Sequence, residues 1–237
     1  MTAALRTHIG KVRKQNEDAA WFDEKQGIYA VADGMGGHLA GEVASQMAID
    51  AIKRMAQENE IASISVLRDT VCNAHEAIVK LAGENKNCSG MGTTLSAMWR
   101  GGHYMYVAHV GDSRIYRLRG GKLERITQDH SLVEELVRAR IITKEEARNH
   151  PRRNIITRAL GTPGENAPDL LAADMQPGDL WLLCTDGLCG MVSDEEMMGA
   201  LTQNASVEEI ADKLLSMALD AGGRDNVTLI LCRSEEG

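Results

Sequence analysis

The chain has 237 residues, 43% of them apolar, enough to bury a sizeable core. Lys and Arg number 26 against 34 Asp and Glu, and the resulting net charge of −8 leaves no global basic field for nucleic acid or an anionic membrane. Only eight residues are Phe, Trp or Tyr, too few for a base-stacking platform. The five cysteines show no Cys-x-x-Cys spacing, which argues for reduced thiols over a disulfide framework or zinc site. No stretch reaches the length of a membrane span, and the N-terminus lacks the charged-then-apolar layout of a signal peptide. A cytoplasmic protein with no membrane partner is the expectation.

Residues 5–32 read as two strands flanking a polar loop, 11–18, with Asp23-Glu24-Lys25-Gln26-Gly27 as a turn. Val31-Ala32-Asp33-Gly34-Met35-Gly36-Gly37-His38 then follows a β-leaning apolar run and precedes a helical pattern from Leu39. A carboxylate at a strand end, beside glycines that let a backbone carbonyl turn inward, offers hard oxygen ligands suited to Mg²⁺ or Mn²⁺. Met47, Ala48, Ala51, Ile52 and Met55 recur at helical spacing, as do Ile64, Leu67, Val71, Ala74, Ile78 and Leu81 behind a Ser63 cap. Both helices read as core-packing, with His75 as a surface or satisfied histidine.

Two hairpins follow, 93–99 with 104–110 and 115–118 with 123–126, linked by Gly111-Asp112-Ser113-Arg114. From Asp129 to Leu160 the pattern is helical and charged. Asp129-His130-Ser131 can cap a helix through Arg140, and Thr143 with Glu146 reads as a capping box. A segment this polar, between strands, is expected to be a surface insertion. Strands resume at 170–173 and 180–184, and Thr185-Asp186-Gly187 again sets Asp-Gly directly after an apolar strand. Two further helix starts, at Ser193 and Ser206, precede Arg224-Asp225-Asn226 and a last strand, 227–232. Strands in runs, with helices outside them, indicate an α+β layered domain.

Asn16-Glu17-Asp18, Asp33-Gly34, Asp186-Gly187 and Arg224-Asp225-Asn226 stand out as acidic motifs, three of them beside strand ends. Each alone reads better as a plain turn. Together they point to cations, because carboxylates gathered in one pocket repel unless neutralised.

Gly10-x-Val12-Arg13-x-x-Asn16-Glu17-Asp18, Asp33-Gly34-Met35-Gly36-Gly37-His38, Gly92-Thr93-Thr94, Gly111-Asp112-Ser113-Arg114, Asp129-His130-Ser131-Leu132, Thr185-Asp186-Gly187 and Asp225-Asn226-Val227-Thr228 occur in this order. On these motifs the chain resembles the metal-dependent type 2C serine/threonine protein phosphatases, in their compact bacterial form. The resemblance implies a single catalytic domain over 1–237 with a flap insertion at about 129–165, folded as a four-layer α-β-β-α sandwich of two antiparallel sheets. It implies a dinuclear site for Mn²⁺ or Mg²⁺ at one edge, with Asp33 bridging two ions and the Gly34 carbonyl binding one. Asp186 and Asp225 complete the other ion's shell, Glu17 and Asp18 act mainly through bound waters, and Asn226 gives outer support. Asp112 with Asp186 matches a looser third-metal site.

Two divalent ions about 3.5–4 Å apart depress the pKa of a shared water, which attacks a phosphomonoester in line. Arg13 fits the phosphate with its planar fork, and His38 can protonate the departing Ser or Thr oxygen. Phosphorylated proteins are the implied substrates, a bacterial Ser/Thr kinase the implied partner, and a monomer the expected state.

Asp112 has a second reading, fixing its turn through Arg114; His130 reads as a structural cap partner, and Arg152 with Arg153 as a solvated pair. The family's flap helix is often followed by a glycine where this chain has Arg138-Ala139-Arg140-Ile141. Two alternatives remain beside the phosphatase: a two-metal hydrolase of small phosphoesters, and a catalytically silent phosphopeptide-binding module. A dinucleotide-binding reading of Gly34-x-Gly36 fails because Leu39 stands where the next glycine is needed.

Overall fold

The computed structural model describes residues 1–36, 40–164 and 166–235. Two antiparallel sheets stack face to face. The first contains β1 (Thr2–His8), β7 (Arg114–Arg119), β8 (Lys122–Arg125), β10 (Leu180–Cys184) and β11 (Val227–Arg233), in the order β1-β11-β10-β7-β8. The second contains β2 (Asp18–Asp23), β3 (Ile28–Met35), β5 (Leu95–Gly101), β6 (Tyr104–Val110) and β9 (Asp169–Asp174), in the order β2-β3-β5-β6-β9, with the short β4 (Gly92–Thr93) on β3. Helices α1 (Ala40–Glu58) and α2 (Ile64–Glu84) cover the second sheet, and α5 (Asp186–Cys189), α6 (Asp194–Leu201) and α7 (Val207–Asp220) cover the first. The α-β-β-α sandwich is the expected fold.

Strand periodicity explains the layers. In β3, Tyr29 and Val31 face the other sheet while Ile28, Ala30 and Ala32 face α1 and α2. In β10, Trp181 and Leu183 point inward between the sheets, and Leu180, Leu182 and Cys184 pack under α6 and α7. A strand covered on both sides has no polar face, so these segments read as unbroken apolar runs. Helix α1 lays Ala40, Ala44, Ala48, Ile52 and Ala56 along one stripe, and these small residues let it lie close to β3. Helices α6 and α7 open on capping boxes built by Ser193 with Glu196 and Ser206 with Glu209.

Several local expectations change. The first 35 residues hold three strands, because residues 2–8 leave their neighbours and pair with β11, placing Leu5 opposite Ile230. The run 93–99 is broken at Thr94, whose N–H donates to the Asp33 carbonyl at 2.9 Å. Ser63 stands at the N-cap of α2, but its hydroxyl bonds Ser65 and does not cap the backbone. The two hairpins lie in different sheets, so residues 111–113 form the crossing between them. His75 is satisfied, accepting the Gly161 N–H at 3.1 Å.

After Asp129, Ser131 caps α3 (Leu132–Arg138), two residues shorter than expected; α4 (Lys144–Arg148) follows behind the capping box of Thr143 and Glu146. Arg140 takes a left-handed φ of 59°, its N–H bonded to the Val137 carbonyl and that of Ile141 to Leu136. This is a Schellman stop made with arginine where glycine is the unstrained choice. The ends of the segment 129–165 are anchored by buried Asp129, His130, Ser131, Ala159 and Leu160, while Arg152 and Arg153 are exposed. All five cysteines are free thiols.

Candidate active site

One edge of the sandwich collects the ends of strands from both sheets, and the acidic motifs arrive there with them. Asp18 opens β2, Asp33 lies near the end of β3, and the two are register partners in that ladder. Directly opposed like charges destabilise a sheet, so this pairing needs a compensating cation or proton. Asp112 sits on the crossing between sheets, Asp186 follows β10 by two residues, and Asp225 lies two residues before β11.

The acids feel one another. Burial raises the Asp33 carboxyl well above its usual range, reinforced by Asp18, Asp186, Asp112 and Asp225. Asp18 is pushed up to about 7 by burial, with Asp186 and Asp225 adding to it and the hydroxyls of Thr228 and Thr185 opposing. Burial and Asp225 raise Asp186, burial and Asp186 raise Asp112, and burial raises Glu17 against the field of Arg13. Asp18, Asp33 and Asp186 are half-buried, Asp112 is buried, and one oxygen each of Asp18, Asp112 and Asp186 is sealed from solvent with no hydrogen-bond partner. Orphaned carboxylate oxygens of this kind are rare unless a cation or proton satisfies them. Among the described residues, no three His, Cys, Asp or Glu side chains close on one point as a finished coordination shell. The donor set is all oxygen, which fits Mg²⁺ or Mn²⁺.

Glycine is required where backbones meet under the site. A Cβ on Gly34 would overlap the Gly41 carbonyl and lie 2.6 Å from the Glu17 carbonyl oxygen, and one on Gly41 would lie 2.8 Å from the Glu17 carboxyl carbon. Ser45 of α1 donates to the Glu17 carbonyl at 2.6 Å, so the helix grips the acidic strand directly. Asn226 accepts the Glu17 N–H at 2.8 Å and donates to the carbonyls of Ile9 and Gln15 at 2.9 and 2.8 Å. It therefore shapes the loop that carries Arg13. Arg13 is exposed and bonds the Asp225 carboxylate at 2.7 Å, placing the expected phosphate clamp at the acid cluster. His38 lies outside the described residues.

Asp112 does not bond Arg114. That guanidinium instead holds Asp129 through three contacts of 2.7 to 3.1 Å. His130 accepts the Gly111 N–H at 3.1 Å, so it supports the Asp112 turn while Ser131 does the capping. Sequence reasoning missed Thr94, which receives the Asp33 N–H at 2.9 Å, and Thr185, which donates to Asp18 at 2.9 Å. Both lie inside quoted motifs, the only signal available for them.

The architecture and the gathered acids define a class: a helix-covered double sheet with a cation-demanding edge. The protein phosphatase 2C family model matches residues 7–228. The serine/threonine phosphatase stp of Listeria monocytogenes is 43% identical over 239 residues, covering 98% of this chain and 95% of the relative. The serine/threonine protein phosphatase PstP of Mycobacterium tuberculosis is 42% identical over 229 residues, 96% of this chain and 44% of that longer protein. A crystal structure of the M. tuberculosis enzyme superposes with a TM-score of 0.92 at 41% identity, covering 99% of both chains. The PstP catalytic domain in complex with two manganese ions superposes at 0.91 with 38% identity, covering 99% of this chain and 98% of that one. The chain belongs to the protein phosphatase 2C family, as its seven ordered motifs imply.

Proposed function

We propose that this chain hydrolyses phosphoserine and phosphothreonine in proteins at a dinuclear Mn²⁺ or Mg²⁺ site on the acidic edge. The observation that carries the reading is the cluster of acids where two sheets end, in which Asp18, Asp112 and Asp186 each keep a sealed, unpartnered oxygen beside the buried, raised carboxyl of Asp33. Asp33, the Gly34 carbonyl, Asp186 and Asp225 would hold the ions, Glu17 and Asp18 would contribute through water, and Asp112 with Asp186 would form a looser third site. The bound ions supply Lewis acidity that activates water and neutralises phosphoryl charge.

Arg13 orients the phosphate with its guanidinium, leaving the single contact to Asp225 for a bidentate one. His38 donates the proton to the departing Ser or Thr oxygen. The substrates are phosphorylated proteins, and a cognate Ser/Thr kinase is the fitting opponent. The chain works as one cytoplasmic, monomeric catalytic domain, with residues 129–165 as the flap over its site. Among the described residues, no helix is long and apolar enough to cross a membrane.

The test is phosphate release from a phosphothreonine protein with Mn²⁺, Mg²⁺ or chelator, beside Asp33→Asn. Ion-dependent release, reduced about 10²–10³-fold in the variant, is expected for loss of a charge that would hold both ions. Faster turnover of nucleotides or sugar phosphates would move the reading to small phosphoesters. Phosphopeptide binding without release would move it to a silent module.

A further inference from the structure

Thr185 ends one sheet's strand and touches a carboxylate of the other sheet. It occupies the N-cap of α5, yet its hydroxyl makes no cap hydrogen bond there. The Thr185 Oγ1 instead accepts the Thr228 N–H at 3.1 Å, and Asp18 Oδ2 lies 2.9 Å away. The alternative acceptor, the Thr228 carbonyl, is 3.4 Å away and already takes the Thr185 N–H at 3.0 Å. With one lone pair occupied by an N–H, the single hydroxyl proton is directed at Asp18.

Asp18 is thereby divided. Oδ2 is held from the side of β10 and β11, and Oδ1 is sealed and without partner within the acid cluster. Thr185 is fully buried, so no water competes for its hydroxyl, and the Thr228 N–H bonded to Oγ1 holds the side chain in this rotamer. Asp18 itself begins β2, at the other sheet's edge, and the hydroxyls that act on its carboxylate, those of Thr228 and Thr185, both come from the opposite sheet's side.

We propose that Thr185 is a positioning residue for metal binding: it orients Asp18 from the opposite sheet so that Oδ1 is presented to the ions or their waters. The proposal rests on Asp18 belonging to the metal centre. Orienting partners behind a ligand change metal affinity by about 10–100-fold when removed.

The experiment is calorimetric titration with Mn²⁺ alone, on wild type, Thr185→Val, Thr185→Ser, Asp18→Ala and the Thr185→Val/Asp18→Ala pair, with circular dichroism confirming folding. Valine keeps the shape and removes the hydroxyl, whereas serine keeps the hydroxyl. The expected result is binding weakened about 10-fold or more by valine, restored within about 3-fold by serine, and no further loss from valine once Asp18 is alanine. Wild-type affinity in Thr185→Val, with Asp18→Ala weakened, would overturn the role of Thr185 and leave the metal centre standing. Equal losses from valine in both backgrounds would show that it acts on Asp186 or on the scaffold, and overturn the proposal as well. Unchanged binding in Asp18→Ala would remove Asp18 from the centre, and the proposal with it. If Thr185→Val does not fold, failure of Thr185→Ser to match wild type decides against it.

Discussion

Asp112 and Asp129 are equally buried, each 8% exposed, and they are close enough for the Asp129 charge to act on the Asp112 carboxyl. Their surroundings are opposite. Asp129 receives three guanidinium contacts from Arg114, with Arg125 a further 3.6 Å away. Asp112 keeps one oxygen without any partner, and burial together with Asp186 and Asp129 raises its carboxyl well above the usual range. The fold therefore neutralises one buried acid with its own cations and leaves the next one open. The same division separates Asp169, half-buried and bonded by the Arg158 guanidinium at 2.9 Å, from Asp18 and Asp186. Charge left uncompensated on one edge only marks where external cations are demanded.

The largest effect should come from breaking the compensated side. Arg114→Met strands Asp129 as a buried carboxylate, and denaturant unfolding should show a loss of about 3–5 kcal/mol. Asp112→Asn in metal-free protein should cost nothing or stabilise, because it removes a charge the fold does not satisfy. If the two substitutions cost the same, the contrast between the two acids is wrong.

A smaller effect is expected from proton uptake on the open side. The Asp18 carboxyl titrates near 7 in the fold and near about 3.9 in the unfolded chain. A raised native value means the native state holds the proton more tightly, so this stabilisation is complete below about pH 4 and lost as pH climbs through about 7. Metal-free protein should lose roughly 2 kcal/mol over that window, after discounting for partial exposure. Saturating Mn²⁺ should reverse the slope, since an ion binds the deprotonated acids. A flat metal-free profile would remove the electrostatic argument for the site.

The smallest effect lies outside both acid groups. Arg140 holds a left-handed φ of 59° at the end of α3, so Arg140→Gly should stabilise by about 0.5–1 kcal/mol in thermal unfolding. Because the residue is exposed and has no contact with the acids among its hydrogen bonds and ion pairs, metal affinity should not change. A shift in Mn²⁺ binding would tie the end of α3 to the acidic edge.

The layers were legible because apolar runs and caps are local signals, and residues 28–32 and 180–184 read as strands that proved to be covered on both faces. The acidic motifs were legible by their order along the chain. The partners of those acids were not. The hydroxyl of Thr185 reaches Asp18 across 167 residues, and Asn226 reaches Glu17 across 209. Thr94 had to leave its strand's register to receive the Asp33 N–H. Pairing of residues 2–8 with β11 is equally invisible locally, since only the folded sheet brings Leu5 to Ile230. Spacing decides which residues share a face, whereas only assembly decides which atoms share a proton.

Strand β11, formed by residues 227–233, does not sit at a margin of its sheet. It lies between β1 and β10, bonded to both. A chain emerging from the ribosome therefore holds β1, β7, β8 and β10 without the strand that joins the first to the rest, and with Asp225 and Asn226 arriving just before it. Closing so distant a contact comes late in folding. A partly synthesised chain carries most of its acids yet lacks Asp225, Asn226 and the strand between β1 and β10, so the acidic edge is incomplete until β11 is made.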